Sequence, residues 1–154
     1  MNRIVILGTG HATVTRCYNT CFALQTDTTT LLVDAGGGNG ILQRLKQAGI
    51  AITEIHHMYV THAHTDHILG TIWVIRMVLS AAGYEGQFHV YSHAKVLRVI
   101  SMICGDTLSA KHRRLMGERV VMHEVGDGTG FNVGDIGMQS FDIHSKKEPL
   151  YGFR

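Results

Sequence analysis

The stretch VTHAHTDHILG, residues 60–70, places His62, His64, Asp66 and His67 within six residues. Neutral imidazoles and ionised carboxylates are the donors that hold divalent ions such as zinc. His62 and His64 lie two apart directly after a β-branched run, so an extended backbone turns both to one side, where together they can grip one ion. Asp66 and His67 follow where the chain turns into a helix, and can reach a second ion beside the first. The positive end of that helix favours an ionised Asp66 and an anionic substrate group close by. A histidine-rich loop without metal is the plain alternative. The flanking strand and amphipathic helix are the context a metal motif requires.

The elements that must position this cluster can be read on either side of it. RIVILG, residues 3–8, is a buried first strand, and residues 20–26 and the run TLLVDAGGG form a hairpin with Asp34 at the end of its second strand. Gly36 to Gly38 break that strand and allow close packing or open a helix. Ile41, Leu42, Leu45 and Ala48 fall at helical spacing before a stop at Gly49. A short strand, residues 57–61, leads into the cluster, and Ile68, Ile72, Ile75 and Leu79 predict a helix running to about Gly83. Residues 87–92 read as a strand, followed by a helix carrying Val96, Ile100 and Ile103 and a second helical piece. The runs RVVMHEV, FNVG and IGMQSFDIHS read as strands, with a Gly/Asp turn before FNVG. No repeat or linker divides the chain, so residues 1–154 make one α/β unit.

Composition bounds what this unit does. With 154 residues, 45% hydrophobic and 17% charged, the chain can bury a sizeable core. No apolar run approaches the ~20 residues that span a bilayer, and MNRIVILGTG reads as a strand rather than a signal peptide. The net charge of +2 does not by itself imply nucleic acid. Basic residues gather at 109–119 and 144–148, where solvated faces are the plain reading and phosphate attraction the sharper one. Cys17, Cys21 and Cys104 form no CxxC pair, which fits free thiols in a reducing cytoplasm. Cys17 and Cys21 can also offer a metal pair, although two small buried residues on neighbouring turns are the simpler reading. Of eleven histidines, His56, His57, His89, His93, His112 and His123 are scattered and read as surface or loop residues.

VTHAHTDHILG resembles the metal motif of the metallo-β-lactamase superfamily, and the Ile-Leu-Gly after its last histidine is similar to the ribonuclease Z and arylsulfatase branch. ILGTG at residues 6–10, LLVDAGGG and FDIHS at residues 141–145 resemble further segments of that branch in the same order. The resemblance implies the N-terminal half of an αββα sandwich, with a mixed sheet and flanking helices. It implies that His62, His64 and His144 hold a first metal and that Asp66 and His67 hold a second. Asp66 would also handle the proton of the attacking water, and Asp34 would steady the metal loop by hydrogen bonds. Zn2+ suits such ligands best, with Mn2+ or Fe2+ as other fits. The implied reaction is hydrolysis by a metal-bound hydroxide, with a phosphodiester in RNA as the leading substrate class. A small-molecule esterase, lactonase or phosphodiesterase, or a non-catalytic metal-binding fragment, are the rivals. The family adds a bridging aspartate and a final histidine later in the chain, whereas the ten residues after His144 contain neither. The chain is therefore expected to be incomplete at its C-terminus. It is also expected to self-associate or to pair with a C-terminal half.

Overall fold

A computed structural model describes residues 2–154. Its frame is a six-stranded sheet in sequence order, β1 (Arg3–Gly8), β2 (Cys21–Gln25), β3 (Thr30–Val33), β4 (His57–Tyr59), β5 (Phe88–Ser92) and β6 (Val120–Glu124). The first three strands pair antiparallel, as hairpin connections allow, and β3 to β6 run parallel, each joined through a helical crossover. The helices are α1 (Gly40–Gln47), α2 (Thr65–Ser80), α3 (Ala94–Thr107) and α4 (Ala110–Arg114). A smaller antiparallel sheet follows, β7 (Gly130–Val133), β8 (Ile136–Asp142) and β9 (Tyr151–Phe153).

Because strand side chains alternate, each central strand feeds two cores. Leu32, Met58 and Val90 point to one face, where Ile41 and Leu45 of α1, Ile68, Val74, Ile75 and Val78 of α2, and Val96 and Ile100 of α3 cover them. Leu31, Val33, Tyr59 and Tyr91 point to the other, against Val133 and Met138 of the small sheet. Complete burial of a Leu, Ile or Val is worth roughly 1.5–3 kcal/mol, so these two layers fix where the strands end. The parallel strands β3 and β4, and the segments after them, deliver Asp34 and the histidine run to one end of the sheet.

The expected hairpin, helices and strands are present with ends displaced by a few residues; α2 stops at Ser80 rather than near Gly83. The segment read as strand to Thr61 pairs only to Tyr59, and the chain continues extended to His64, which caps α2. Two expectations need correction. Cys17 is exposed, and only Cys21 and Cys104 are buried. The histidines read as scattered are not all so: His57, His89 and His123 meet across β4, β5 and β6, and His93 is buried. The basic helix α4 is largely a solvated face, with Arg113 donating to the Leu108 carbonyl at 2.6 Å. No helix among the described residues is long and apolar enough to cross a membrane.

Candidate metal centre

Asp34 sits at the end of β3 with a left-handed backbone, φ 53°. A non-glycine residue rarely adopts that conformation, and here it aims a buried carboxylate at the loop after β4. Oδ1 accepts the Thr61 N–H at 2.9 Å, and Oδ2 accepts the Thr61 hydroxyl at 2.8 Å and His67 Nδ1–H at 2.7 Å. The Thr61 hydroxyl has one proton and gives it to Asp34. Its oxygen, 2.8 Å from His62 Nδ1, must therefore accept from that ring. One carboxylate thus fixes both rings: His62 and His67 each carry a proton on Nδ1, so Nε2 is the atom each can offer to a ligand. This is the arrangement by which carboxylates orient metal-binding imidazoles.

The glycine turn after Asp34 brings the start of α2 against this loop. Ala35 N–H donates to the His67 carbonyl at 3.1 Å, and Gly70 N–H to the Gly36 carbonyl at 2.8 Å. Gly36 has φ +69°, and a Cβ there would lie 2.4 Å from the Tyr18 ring, so only glycine fits. Tyr18 Oη in turn lies 2.8 and 2.7 Å from the carbonyl oxygens of Ala35 and Gly38, pinning the turn.

His62 is buried, and its ring centre lies 4.7 Å from that of His64 and 4.1 Å from that of His67. Asp66 Oδ2 is 3.5 Å from His67 Nε2. The third donor beside His62 and His64 is Glu148: one ligand atom from each of the three lies within 4.8 Å of the others. Glu148 Oε1 is 2.5 Å from His64 Nε2, and Oε2 is 2.8 Å from Lys95 Nζ. His144 is not brought into this group. Its backbone is left-handed, φ 55°, and its side chain is 83% exposed with Nδ1 3.8 Å from Asp142.

Burial and the neighbouring His67 charge lower the pKa of His62, keeping it neutral as a ligand must be. Burial works to lower His67 too, but the hydrogen bond and charge of Asp34, with Asp66 and Glu148, carry it above the ordinary value. Burial likewise opposes ionisation of Glu148, but the Lys95 hydrogen bond and the His64 charge take it below the usual carboxylate range. The site thus gathers three carboxylates, Asp34, Asp66 and Glu148, around the imidazoles, a setting that favours positive charge, whether protons on the rings or a divalent cation in their place. These donors fit such an ion. Glu148 escapes sequence reading because it lies far from the motif, within a stretch that reads as a basic loop, and Lys95 because it stands on a helix with no spacing that ties it to the motif. Thr61 stands inside the motif, but its role as a relay shows only in the geometry.

Comparison with known proteins shows the family and the fold. The chain is 30% identical over 128 residues to exodeoxyribonuclease YycJ of Bacillus anthracis, covering 82% of this chain and 42% of that protein. It is 34% identical over 79 residues to ribonuclease Z of Streptomyces avermitilis, covering 51% of this chain and 26% of that protein. The chain therefore spans less than half the length of these curated relatives. The short form of human tRNase Z superposes with a TM-score of 0.79 at 17% identity, over 99% of this chain and 62% of that one. The fold is the metallo-β-lactamase fold, in its N-terminal half. The family described as Anti-Pycsar protein Apyc1 matches residues 2–153, and the chain belongs to that family.

Proposed function

We propose that this chain is the metal-holding part of a divalent-metal-dependent phosphodiesterase. The observation that carries the reading is the Asp34 network, which engages the Nδ1 side of His62 and His67 and leaves their Nε2 atoms as the ones to meet a ligand beside His64 and Asp66. His62 and His64, with Glu148 standing next to them, would hold one ion, and Asp66 and His67 the other. His144 shares the strap of residues 143–150 with Glu148 and is the other donor that strap can offer. Zn2+ fits this set best, with Mn2+ or Fe2+ also suited to imidazole and carboxylate. When bound, such ions polarise a phosphoryl oxygen and acidify water. The chain's own part is to fix the imidazoles through Asp34 and Thr61, and to hold a proton acceptor, Asp66, at the polar mouth of α2.

A phosphodiester in RNA is the leading substrate, supported by the relative named as ribonuclease Z and by the fold shared with tRNase Z, while the relative named as an exodeoxyribonuclease supports a nucleic-acid phosphodiester more broadly. A specific observation favours a second reading, a small phosphodiester. A cleft of about 300 Å³ opens beside the glycine turn, lined by Gly37, Gly38, Leu69, Ile72, Trp73 and Arg76. It abuts the site, since a Cβ on Gly37 would lie 3.6 Å from the Asp66 Cα. Its size suits a nucleotide rather than a folded RNA. The test is hydrolysis of a chromogenic nucleotide phosphodiester and of a precursor tRNA by protein reconstituted with Zn2+ or Mn2+, with and without chelator. Metal-dependent cleavage of either supports the reading, and cleavage of neither by a protein that retains metal would end it.

The exposed edge supports association as well. Ile4 and Ile6 on β1 are 64% and 60% exposed. With Val5 and Leu7 turned to the helix-covered core, they line the opposite face. Apolar residues on an edge strand favour pairing with a second copy or a complementary half that brings further ligands. Light scattering on the purified chain tests this, and a monomer at all concentrations would count against it.

A further inference from the structure

A second group of imidazoles lies on the sheet face that carries Tyr59 and Tyr91, on strands β4, β5 and β6. His57 begins β4 and pairs in register with His89 of β5, their rings stacked 5.3 Å apart. His123 of β6 reaches the same face, and its ring stacks on Tyr91 at 4.7 Å. His89 Nδ1 and His123 Nε2 are 2.9 Å apart, so the two rings share one proton in a hydrogen bond. His57 Nδ1 is buried and has no hydrogen-bond partner.

We propose that His89 and His123 form a second, independent two-histidine binding site for a borderline transition-metal ion such as Zn2+, Ni2+ or Cu2+, its remaining positions taken by water. The distance is the first argument. Two imidazole nitrogens bound to one tetrahedral Zn2+ at about 2.0–2.1 Å stand roughly 3.3 Å apart. Opening the 2.9 Å hydrogen bond by a few tenths of an ångström therefore admits the ion. The proton shared between the rings then moves to the other nitrogen of its own ring, so binding needs no net deprotonation. Ring state is the second argument: burial, and for His57 and His89 the neighbouring imidazoles, depress all three pKa values, which leaves the rings neutral at pH 7. Neutral imidazole is the form that ligates. Placement is the third. The two donors come from adjacent strands, and Tyr91 and the cross-strand pairing already restrain the rings, so little ordering remains to be done on binding. An ion there would clip β5 to β6.

The experiment is a Zn2+ titration of the 15N-labelled His64→Ala protein, which disables the candidate centre at a half-exposed side chain, followed by imidazole 15N resonances. The His89 Nδ1 and His123 Nε2 signals should move together to metal-bound positions. His123→Gln in the same background should weaken Zn2+ binding by about tenfold or more, with the fold checked by circular dichroism. Should His123→Gln fail to fold, His89→Gln serves the same comparison. Resonances of His89 and His123 that stay put while Zn2+ saturates other groups, or that move without binding being weakened in either variant, would overturn the proposal. Neither result would touch the reading of the His62 and His64 centre, which is read from the wild-type protein.

Discussion

Replacing Gly70 by alanine should damage the centre without touching any donor. Gly70 lies on the second turn of α2, against the turn that follows Asp34. A Cβ there would stand 1.8 Å from the Ala35 carbonyl oxygen and 2.5 Å from its carbon, both backbone atoms that cannot rotate away. The contact must open to at least 3.0 Å, so α2 has to move by more than an ångström from the Asp34 turn. That movement stretches the Gly70 to Gly36 hydrogen bond, now 2.8 Å, and the Asp34 to His67 bond, now 2.7 Å. Overpacking of this kind costs about 1–3 kcal/mol, and at a backbone contact the upper end is expected. For a domain of this size that corresponds to a fall in Tm of roughly 6–12 °C. Misplacing the carboxylate that orients His67 should also weaken metal binding about tenfold or more. Calorimetry gives the first quantity and competition with a chelating dye the second. A Gly70→Ala protein with unchanged Tm and unchanged affinity would show that α2 is not locked against the Asp34 turn as described.

Three other expectations follow from named contacts. Asp34→Asn keeps the shape but offers one acceptor where two oxygens now take three bonds, so metal affinity should drop about 10–100-fold in the same dye competition. Asp66→Asn should leave Tm near the parent value while turnover of a chromogenic phosphodiester falls by about a hundredfold or more; equal turnover would remove Asp66 from the proton's path. Burial and nearby His89 hold the His57 pKa down at about 4, from 6.5. Between those values the unfolded chain binds the extra proton and the native one does not, so stability should decline as pH falls through that window. The loss is at most about 3 kcal/mol, and about half that after solvent screening. Denaturant melts of the parent and His57→Gln between pH 7 and pH 4 should show the steeper decline in the parent.

What the sequence discloses here depends on range. The strand, extended loop and helix around residues 57–80 are local, and so are His62, His64, Asp66 and His67. Apolar periodicity and ligand spacing make them legible. Asp34 is visible as a strand-ending aspartate before glycines, but its hold on Thr61, 27 residues on, and His67, 33 residues on, is a property of parallel strand pairing. Glu148 is hidden more deeply. It sits in a lysine-rich stretch and reaches His64 only because β9 returns beside β8 and Tyr151 N–H bonds the Thr61 carbonyl. The same return leaves His144, four residues earlier, facing outward. The row of His57, His89 and His123 was likewise invisible, since the three are brought together only by the register of three strands joined through long crossovers.

Whether this fold builds a divalent-metal centre at the mouth of α2 is decided by anomalous diffraction at the zinc edge from crystals grown with Zn2+. An anomalous peak is expected at about 2.0–2.2 Å from an imidazole nitrogen of each of His62 and His64, with His62 bound through Nε2 and the Asp34 and Thr61 bonds retained. The third protein donor to that peak would show whether Glu148 keeps its place or yields it to His144. Zinc found only at other residues, with His64 still paired to Glu148 and no peak beside His62, would contradict that expectation.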